Sequence, residues 1–161
     1  MPDPAASPLA GQPGLLFRRG GVEDAAAIRS LLEAAYALYV PRMGRLPVTM
    51  DGDFAAAVRD DLIWVVIDGD GLLAVLHLRL HPDHLFIEDV AVRPGRQRQG
   101  IGKRLLAFAE KQGRLRGHGE IRLFTNATMV ENAGLYAGLG YREYLREPVR
   151  GTDVIYMRKP L

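Results

Sequence analysis

The chain has 161 residues, of which 48% are hydrophobic and 25% are charged, and this balance is typical of one globular domain rather than of a membrane-spanning or disordered chain. Its 21 basic and 19 acidic residues give a net charge of +2, which is too small to predict binding to nucleic acid or to a membrane surface. The chain has no cysteine, which excludes disulfides, thiolate metal sites and a cysteine nucleophile. Because such a chain suits a reducing compartment, we expect a cytoplasmic protein.

The first fourteen residues differ in composition from the rest. They include four prolines and no long apolar run, so they do not have the pattern of a secretion signal. We expect residues 1–14 to be a disordered leader and residues 15–161 to form a single domain.

From residue 15 onward, the pattern predicts alternating strands and helices. Apolar residues recur at the 3.6-residue helical period over 22–40, where Pro41 is expected to stop the helix. Later in the chain, turn formers separate β-prone runs, which indicates a hairpin. The elements are expected, in chain order, as a strand at 15–19, a helix at 22–40, a short helix at 54–59, strands at 62–68, 72–80 and 85–92, a helix at 100–116, a strand at 120–124, a helix at 130–139, and strands at 141–147 and 153–159. This order predicts an α/β (α+β) fold with a largely antiparallel start and a central βαβ crossover.

The junction between the strand at 85–92 and the next helix has the features of a phosphate site. A helix that begins near Gly100 leaves its first N–H groups free, and these groups and the helix dipole attract an anion. Gly100 and Gly102 have no side chains to keep a phosphate away from the backbone. Basic residues surround them, with no acid before Glu110: Arg93, Arg96, Arg98, Lys103 and Arg104. We therefore expect a ligand that carries phosphates.

Two common phosphate motifs are excluded by single positions. A Walker A loop would need glycine at 97 and Ser or Thr after the lysine, where the chain has Gln97 and Arg104. A dinucleotide fingerprint would need a third glycine in place of Leu105. The remaining pattern, Gln97-x-x-Gly100-x-Gly102 directly after a strand, resembles the coenzyme A loop of the GNAT N-acetyltransferase superfamily.

Three further segments resemble the same family, and together they extend the resemblance over about residues 15–161. They are IEDVAVRP (87–94), similar to the family's fourth strand; LFTNATMVENAGLYAGLGYRE (123–143), similar to its fifth strand, following loop and last helix; and VIYMRKPL (154–161), similar to its closing strand. The resemblance implies the GNAT fold, a twisted, mixed and mostly antiparallel sheet flanked by helices. It also implies an acetyl-CoA-dependent N-acetyltransferase that passes the acetyl group directly to a primary amine of a small molecule, a peptide or a protein, without an acyl-enzyme.

The resemblance also implies a set of coenzyme-binding residues. The pantetheine arm is expected to pair with the backbone of Val90, Ala91 and Val92 as an added strand would. The loop expected around the pyrophosphate comprises Gln97, Arg98, Gln99, Gly100, Ile101, Gly102 and Lys103. Arg98 departs from the pattern, because many members have glycine there, and it is expected to narrow the approach to the pyrophosphate. Asn126 and Asn132 are expected near the pantetheine, although Asn126 is equally explained as a residue that shapes its loop and Asn132 as a surface residue at a helix start.

Direct transfer needs an amine that has lost its proton and a thiolate that gains one. Tyr136 aligns with the helix tyrosine that supplies this proton in the family; the alternative is that it only packs between helix and sheet. Glu88 and Asp89 are the only acids in an apolar strand, and burial raises the pKa of a carboxyl group toward neutrality. Since neighbouring strand residues face opposite sides unless a bulge intervenes, we select Glu88 as the base. The alternatives are that both acids pair with arginines or that a water chain takes the proton.

The acceptor itself is not predicted by the sequence. The resemblance places the first helix and the following loop at the acceptor wall, and the residues expected there are Tyr36, Tyr39, Arg42 and Arg45, with Asp89 from the strand. An arginine pair would suit an acceptor carboxylate, but charged loop residues are commonly just solvated. The four histidines match no zinc spacing, so we expect no metal.

Two other classes of protein compete with the enzyme. A GNAT-like module that senses acyl-CoA without turnover would share the coenzyme loop. A nucleic-acid-binding module would be expected to interleave exposed aromatic residues, which RPGRQRQGIGKR lacks. We expect acetyl-CoA and an amine as partners, with no nucleic acid and no membrane, and the sequence leaves a homodimer open.

Overall fold

A computed structural model describes residues 7–161, apart from the side chains at positions 48 and 49. Its elements are β1 (Leu16–Arg19), α1 (Ala25–Ala37), α2 (Val40–Met43), α3 (Phe54–Asp60), β2 (Leu62–Asp68), β3 (Gly71–Leu80), β4 (Leu85–Val92), α4 (Ile101–Leu115), β5 (Glu120–Asn126), α5 (Val130–Gly138), β6 (Arg142–Val149) and β7 (Thr152–Pro160). The predicted order of strands and helices is confirmed, with the short helix α2 as an addition.

The strands form one sheet in the order β1-β2-β3-β4-β5-β7-β6. The β4–β5 pair is parallel and the other described pairs are antiparallel. A parallel pair needs a long crossover connection, and α4 provides it. The predicted mixed, mostly antiparallel sheet with a central βαβ crossover is confirmed.

The sheet is covered by helices on both faces, and β2 shows how the sequence produces this. Ile63 and Val65 pack in a cluster with α1 and α3, whereas Trp64 packs in a second cluster with α4. Because successive strand residues point to opposite faces, a strand buried on both faces is apolar at every position. Trp64 also contacts the rings of Phe17 and Phe108, at centroid distances of 5.1 Å each.

The first helix ends earlier than predicted. Its apolar period is confirmed up to Ala35, which is buried, but α1 stops at Ala37 and Leu38 is 57% exposed. The prediction that Pro41 stops this helix is wrong, since Pro41 lies in the first turn of α2. A proline is tolerated there because its missing N–H would have no partner within the helix.

Two residues of the predicted leader, Pro8 and Leu9, contact the domain. Leu9 is 4% exposed and belongs to the core cluster that contains α4. The backbone oxygen of Pro8 accepts a hydrogen bond from Arg104 Nη1 at 3.3 Å. The boundary at residue 15 stays a prediction, and the rest of the predicted leader, residues 1–6, lies outside the described residues.

Replacing Leu9 by alanine tests this packing. We expect the free energy of unfolding to fall by about 2–3 kcal/mol, because the substitution removes buried methyl groups and leaves a cavity. Urea denaturation followed by circular dichroism measures it. Leu16→Ala is the control, since Leu16 is 53% exposed and its loss is expected to change stability by less than about 0.5 kcal/mol. Equal effects of the two substitutions would show that Leu9 is not part of the core.

Candidate functional site

A gap opens in the middle of the sheet, where β4 and β5 separate. The two strands pair at three positions, from Leu85 with Ile121 to Ile87 with Leu123. Beyond Ile87, β4 continues to pair with β3 alone, so its other edge faces a cavity. Side chains from both strands and from α5 line this cavity, among them Glu88, Asp89, Val90, Phe124, Asn126 and Tyr136.

A β-bulge lies at the start of the gap. His77 of β3 pairs with Asp89, but the next residue, Leu78, pairs with Ile87, so Glu88 is the extra residue. A bulge interrupts the alternation of side chains along a strand. As a result, both acids line a cavity with residues of α3. The prediction that only one of the two acids faces the acceptor side assumes a regular strand. The bulge makes this strand irregular, so that assumption does not hold.

The two acids have different partners. Glu88 Oε1 lies 2.9 Å from Arg79 Nη1, and the Glu88 side chain is 16% exposed. Burial raises the pKa of Glu88 above its usual value, although Arg79 and His77 oppose that shift. Asp89, which is 3% exposed, accepts a hydrogen bond from the Tyr36 hydroxyl at Oδ1 (2.9 Å), and its Oδ2 lies 3.4 Å from His77 Nδ1. The ion pair with an arginine, which the sequence analysis gave as an alternative role for the acids, is therefore observed for Glu88.

A second cavity, here named the coenzyme groove after the predicted coenzyme-binding residues, adjoins this gap. It has a volume of about 620 Å³, within the range of ordinary ligand sites, and it shares Tyr36, Val90, Asn132 and Tyr136 with the gap. Most of the predicted coenzyme residues line it: Val90, Ala91, Val92, Gln97, Arg98, Gly100, Gly102, Lys103 and Asn132.

Two predicted coenzyme residues point elsewhere. The Ile101 side chain is 3% exposed and packs in the core, and the Gln99 side chain accepts a hydrogen bond from Arg96 at 3.2 Å. Only their backbones remain candidates for contact with a coenzyme. Gln97 acts within the loop, since its Nε2 donates to the backbone oxygen of Val92 at 3.1 Å.

The start of α4 provides the access to backbone that the sequence predicts. Gly100 precedes the helix with φ 82°, and no side chain caps the first turn. A Cβ at Gly102 would meet no heavy atom within 4 Å, so the groove is open at the helix amides and the residues fit a phosphate group. Arg98 has φ 62°, a left-handed conformation that costs a side-chain-bearing residue about 1 kcal/mol. This conformation gives a physical reason for the glycine that many family members have there.

The sequence suggested that all the basic residues around the loop are free to bind a ligand, but two of them form ion pairs. Arg93 and Arg96 each lie 3.0 Å from an oxygen of Asp68, at the end of β2. No acid occurs in this stretch of the sequence before Glu110, but the fold brings in Asp68 from the end of β2. Of the five basic residues around the loop, Arg98 and Lys103 line the groove.

Tyr136 lies where the gap and the groove meet. It is 8% exposed, and burial raises the pKa of its hydroxyl above the usual value, so the group keeps its proton at neutral pH. Its ring also packs edge-on against Tyr141, with centroids 6.0 Å apart. Across residues 7–161, no side chain or backbone group forms a hydrogen bond with the Tyr136 hydroxyl. The residue therefore packs in the core and still presents an uncommitted hydroxyl to the site.

The two asparagines differ. Asn132, four residues before Tyr136, lines both the gap and the groove. Asn126 is buried and largely engaged, since its Nδ2 donates to Thr152 Oγ1 at 2.8 Å and its Oδ1 accepts from the Thr128 backbone N–H at 3.0 Å. These contacts favour the loop-shaping role for Asn126, although its side chain also lines the gap.

The predicted acceptor residues are only partly in the gap. Tyr36 lines it, whereas Tyr39 and Arg42 line the coenzyme groove. Arg42 Nη1 lies 2.8 Å from Glu131 Oε2, and this hydrogen bond is the main reason that the pKa of Glu131 falls to about 2. The geometry does not support Arg42 as a free carboxylate site. Arg45 is the arginine that lines the gap, and its Nη2 donates to the backbone oxygen of Val149 at 2.9 Å.

His77 was not among the predicted site residues, since the sequence analysis considered the histidines only as zinc ligands. It lies inside β3 and is 6% exposed. Burial lowers its pKa, but hydrogen bonds to Asp89 and Asp61 outweigh this effect, and the pKa is raised overall. The sequence feature that could have indicated its burial is its position in the middle of an apolar strand, between Leu76 and Leu78.

Neither a metal site nor a membrane-spanning helix is found in the described part of the chain. Residues 7–161 contain no group of three or more His, Asp or Glu side chains that could hold a metal ion. No helix within them is long and apolar enough to cross a membrane.

Comparison with known proteins decides the family. The model of the acetyltransferase (GNAT) family matches residues 26–141, which is most of the chain. The chain belongs to the GNAT acetyltransferase family. No curated protein matches its sequence significantly.

Solved structures of GNAT proteins share the fold over nearly the whole chain. The PaiA N-acetyltransferase of Thermoplasma acidophilum, in complex with coenzyme A, has 17% identity and a TM-score of 0.75, covering 91% of this chain and 99% of that one. The ribosomal-protein-S18-alanine N-acetyltransferase of Escherichia coli has 22% identity and a TM-score of 0.74, covering 91% and 93%. A GCN5-related N-acetyltransferase of Rhodopseudomonas palustris has 22% identity and a TM-score of 0.76, covering 91% and 95%. At these identities, the similarity establishes the GNAT fold.

Substitution of Gly102 tests the coenzyme groove of this GNAT protein. We expect Gly102→Val to lower the affinity for acetyl-CoA by at least about tenfold, because its branched side chain would stand between the helix amides and the pyrophosphate. The fold is expected to survive, since a side chain there meets open space and every residue except proline is a better helix former than glycine. Calorimetric titration and thermal unfolding measure the two effects.

The matched control is Gly134→Val in α5, where a Cβ also meets no atom within 4 Å and which lines none of the cavities described. Its affinity for acetyl-CoA is expected to stay within about twofold of the wild-type value. Unchanged affinity in Gly102→Val would remove the phosphate-loop interpretation.

Proposed function

We propose that the protein is an acetyl-CoA-dependent N-acetyltransferase that transfers the acetyl group directly to a primary amine of a small molecule, a peptide or a protein. The observation that carries this proposal is the pair of proton-transfer groups in one cavity: the half-buried Glu88 carboxyl and the uncommitted Tyr136 hydroxyl both line the gap beside the coenzyme groove. Family membership supports acyl transfer as the reaction class.

The groove offers acetyl-CoA two kinds of contact. The backbone amides at the start of α4, with Arg98 and Lys103, would hold the pyrophosphate. The edge of β4 from Val90 to Val92 has no partner in β5, so it would pair with the pantetheine arm. The bound molecule supplies the thioester that carries the acetyl group. The coenzyme A complex of the similar T. acidophilum structure supports this assignment.

Glu88 is the better candidate for the base. Both oxygens of Asp89 already have partners, Tyr36 and His77, whereas Glu88 has only the ion pair with Arg79 at one oxygen among the described residues. The raised pKa of Glu88 makes it a stronger proton acceptor than an exposed glutamate. In the proposed reaction, Glu88 takes the proton from the amine and Tyr136 gives its proton to the sulfur that leaves.

A non-catalytic module that senses acyl-CoA is the competing function. Such a module needs the groove but has no use for a proton acceptor and a proton donor in the adjoining gap. Incubation with acetyl-CoA and a panel of primary amines, followed by detection of free thiol, separates the two functions. Release of coenzyme A that depends on the amine supports the enzyme, and tight binding without release across the panel supports the sensor.

The Tyr136→Phe substitution tests the proton donor. We expect coenzyme binding to be kept, because the ring still packs, and kcat to fall by roughly 10²- to 10⁴-fold, the usual effect of losing a general acid. Steady-state kinetics at saturating acceptor measures it. The control is Tyr141→Phe, which removes a hydroxyl that lies 3.4 Å from Glu110, a residue that lines none of the cavities described. A change below twofold in Tyr136→Phe would leave Tyr136 with a packing role alone.

The pH dependence tests the base. Since Glu88 must be ionised to accept a proton and its pKa is raised, kcat/KM is expected to fall as the pH drops through that pKa. Glu88→Gln should abolish this lower limb and reduce the rate most above that pKa, where the wild-type carboxyl is ionised. Asp89→Asn should leave the limb in place, because Asp89 is not the proton acceptor. The reverse result would assign the base to Asp89, and an unchanged profile in both variants would assign it to water.

A further inference from the structure

His77 lies between two carboxylates, and no step proposed above uses it. Its Nε2 is 2.7 Å from Asp61 Oδ2 and its Nδ1 is 3.4 Å from Asp89 Oδ2. The side chain is 7% exposed, so these contacts are shielded from water. Asp61 follows α3 directly and Asp89 belongs to β4, so the ring of His77 links two separate parts of the fold.

The contacts continue beyond Asp89 to the gap. Asp89 Oδ1 accepts a hydrogen bond from the Tyr36 hydroxyl at 2.9 Å, and Tyr36 of α1 lines both the gap and the coenzyme groove. The four side chains therefore form a continuous series: Asp61, His77, Asp89 and Tyr36. Its outer end lines a separate cavity beside α3, with a volume of about 450 Å³.

The geometry favours a charged imidazole. A histidine ring that contacts a carboxylate at each nitrogen satisfies both only when both nitrogens carry a proton. The charged groups around it are Asp61, Asp89, Glu88 and Arg79, and the Tyr36 hydroxyl is the neutral polar group beyond Asp89. Three carboxylates against one guanidinium favour the imidazolium. The raised pKa of His77, in spite of its burial, agrees with this form.

We propose that His77 is a positioning residue for acceptor binding: its imidazolium fixes Asp89, and Asp89 in turn fixes the Tyr36 hydroxyl at the wall of the gap. The proposal rests on the proposed function, because it takes the gap as the acceptor site. His77 itself does not touch the acceptor. If the Asp89 carboxylate loses this contact, it is free to rotate, and the Tyr36 hydroxyl loses its fixed partner.

Two isosteric substitutions divide the contacts of His77 between them. In His77→Asn, the amide nitrogen lies where Nδ1 lies, so the contact with Asp89 is kept and the contact with Asp61 is lost. In His77→Gln, the amide nitrogen reaches the position of Nε2, so the contact with Asp61 is kept and the contact with Asp89 is lost. Both variants remove the charge and the ring, which makes each the control for the other.

We expect His77→Gln to raise the KM for the acceptor by roughly tenfold, the effect of one lost hydrogen bond to a charged group, with the Kd for acetyl-CoA unchanged. His77→Asn should raise this KM by less than about threefold. Tyr36→Phe should act like His77→Gln, and the double variant should be no worse than either single variant, because both interrupt the same series. The control His84→Gln changes another buried histidine, on the β3–β4 turn, and should leave the KM unchanged.

A spectroscopic readout keeps this proposal separate from the proposed function. Nitrogen-15 NMR of the full chain should show a doubly protonated His77 ring at pH 7, and Asp89→Asn should lower the pH at which that ring loses a proton. If no amine is acetylated but the NMR result holds, the proposed function fails and the arrangement around His77 stands. A neutral ring at pH 7, equal KM effects in His77→Asn and His77→Gln, or additive effects in the double variant would each overturn the positioning role.

Discussion

After Ile87, the backbone of β4 loses β5 as a hydrogen-bonded neighbour, and the site depends on that separation. A central strand with an unpaired edge exposes backbone groups that must find another partner. Here the unpaired edge from Val90 to Val92 faces the coenzyme groove. The same separation admits the side chain of Tyr136 from α5 to the gap, so one interruption of the sheet produces both the groove proposed for the coenzyme and the gap proposed for proton transfer.

Strand β4 carries two neighbouring carboxylates, Glu88 and Asp89, among apolar residues, and with the bulge at Glu88 both line one cavity. Two buried acids next to each other repel and are costly to remove from water. The fold compensates with Arg79, His77 and the Tyr36 hydroxyl. These partners come from β3 and α1, so the two acids depend on contacts with a neighbouring strand and with the first helix.

Much of the architecture could be predicted from the sequence, because local patterns determine it. The strands at 62–68 and 85–92 were predicted with their observed bounds, and the open backbone at Gly100 and Gly102 followed from residue type alone. The bulge could not be predicted, since it depends on the register between β3 and β4. The pairing of Arg93 with Asp68 and the burial of His77 depend on contacts between residues far apart in sequence. The end of α1 was misplaced because Pro41 was taken as its stop signal. Pro41 instead lies in the first turn of a separate helix, α2, where a proline is tolerated.

The ion pairs behind the coenzyme loop have a consequence for binding. Arg93 and Arg96 hold the start of the loop to Asp68, and Gln97 ties it to the end of β4. A loop that is fixed by the protein's own side chains loses little conformational entropy when a phosphate binds to it. Under the proposed function, these two arginines would act on affinity through preorganisation of the backbone, at a distance from the anion, while Arg98 and Lys103 would supply the positive charge.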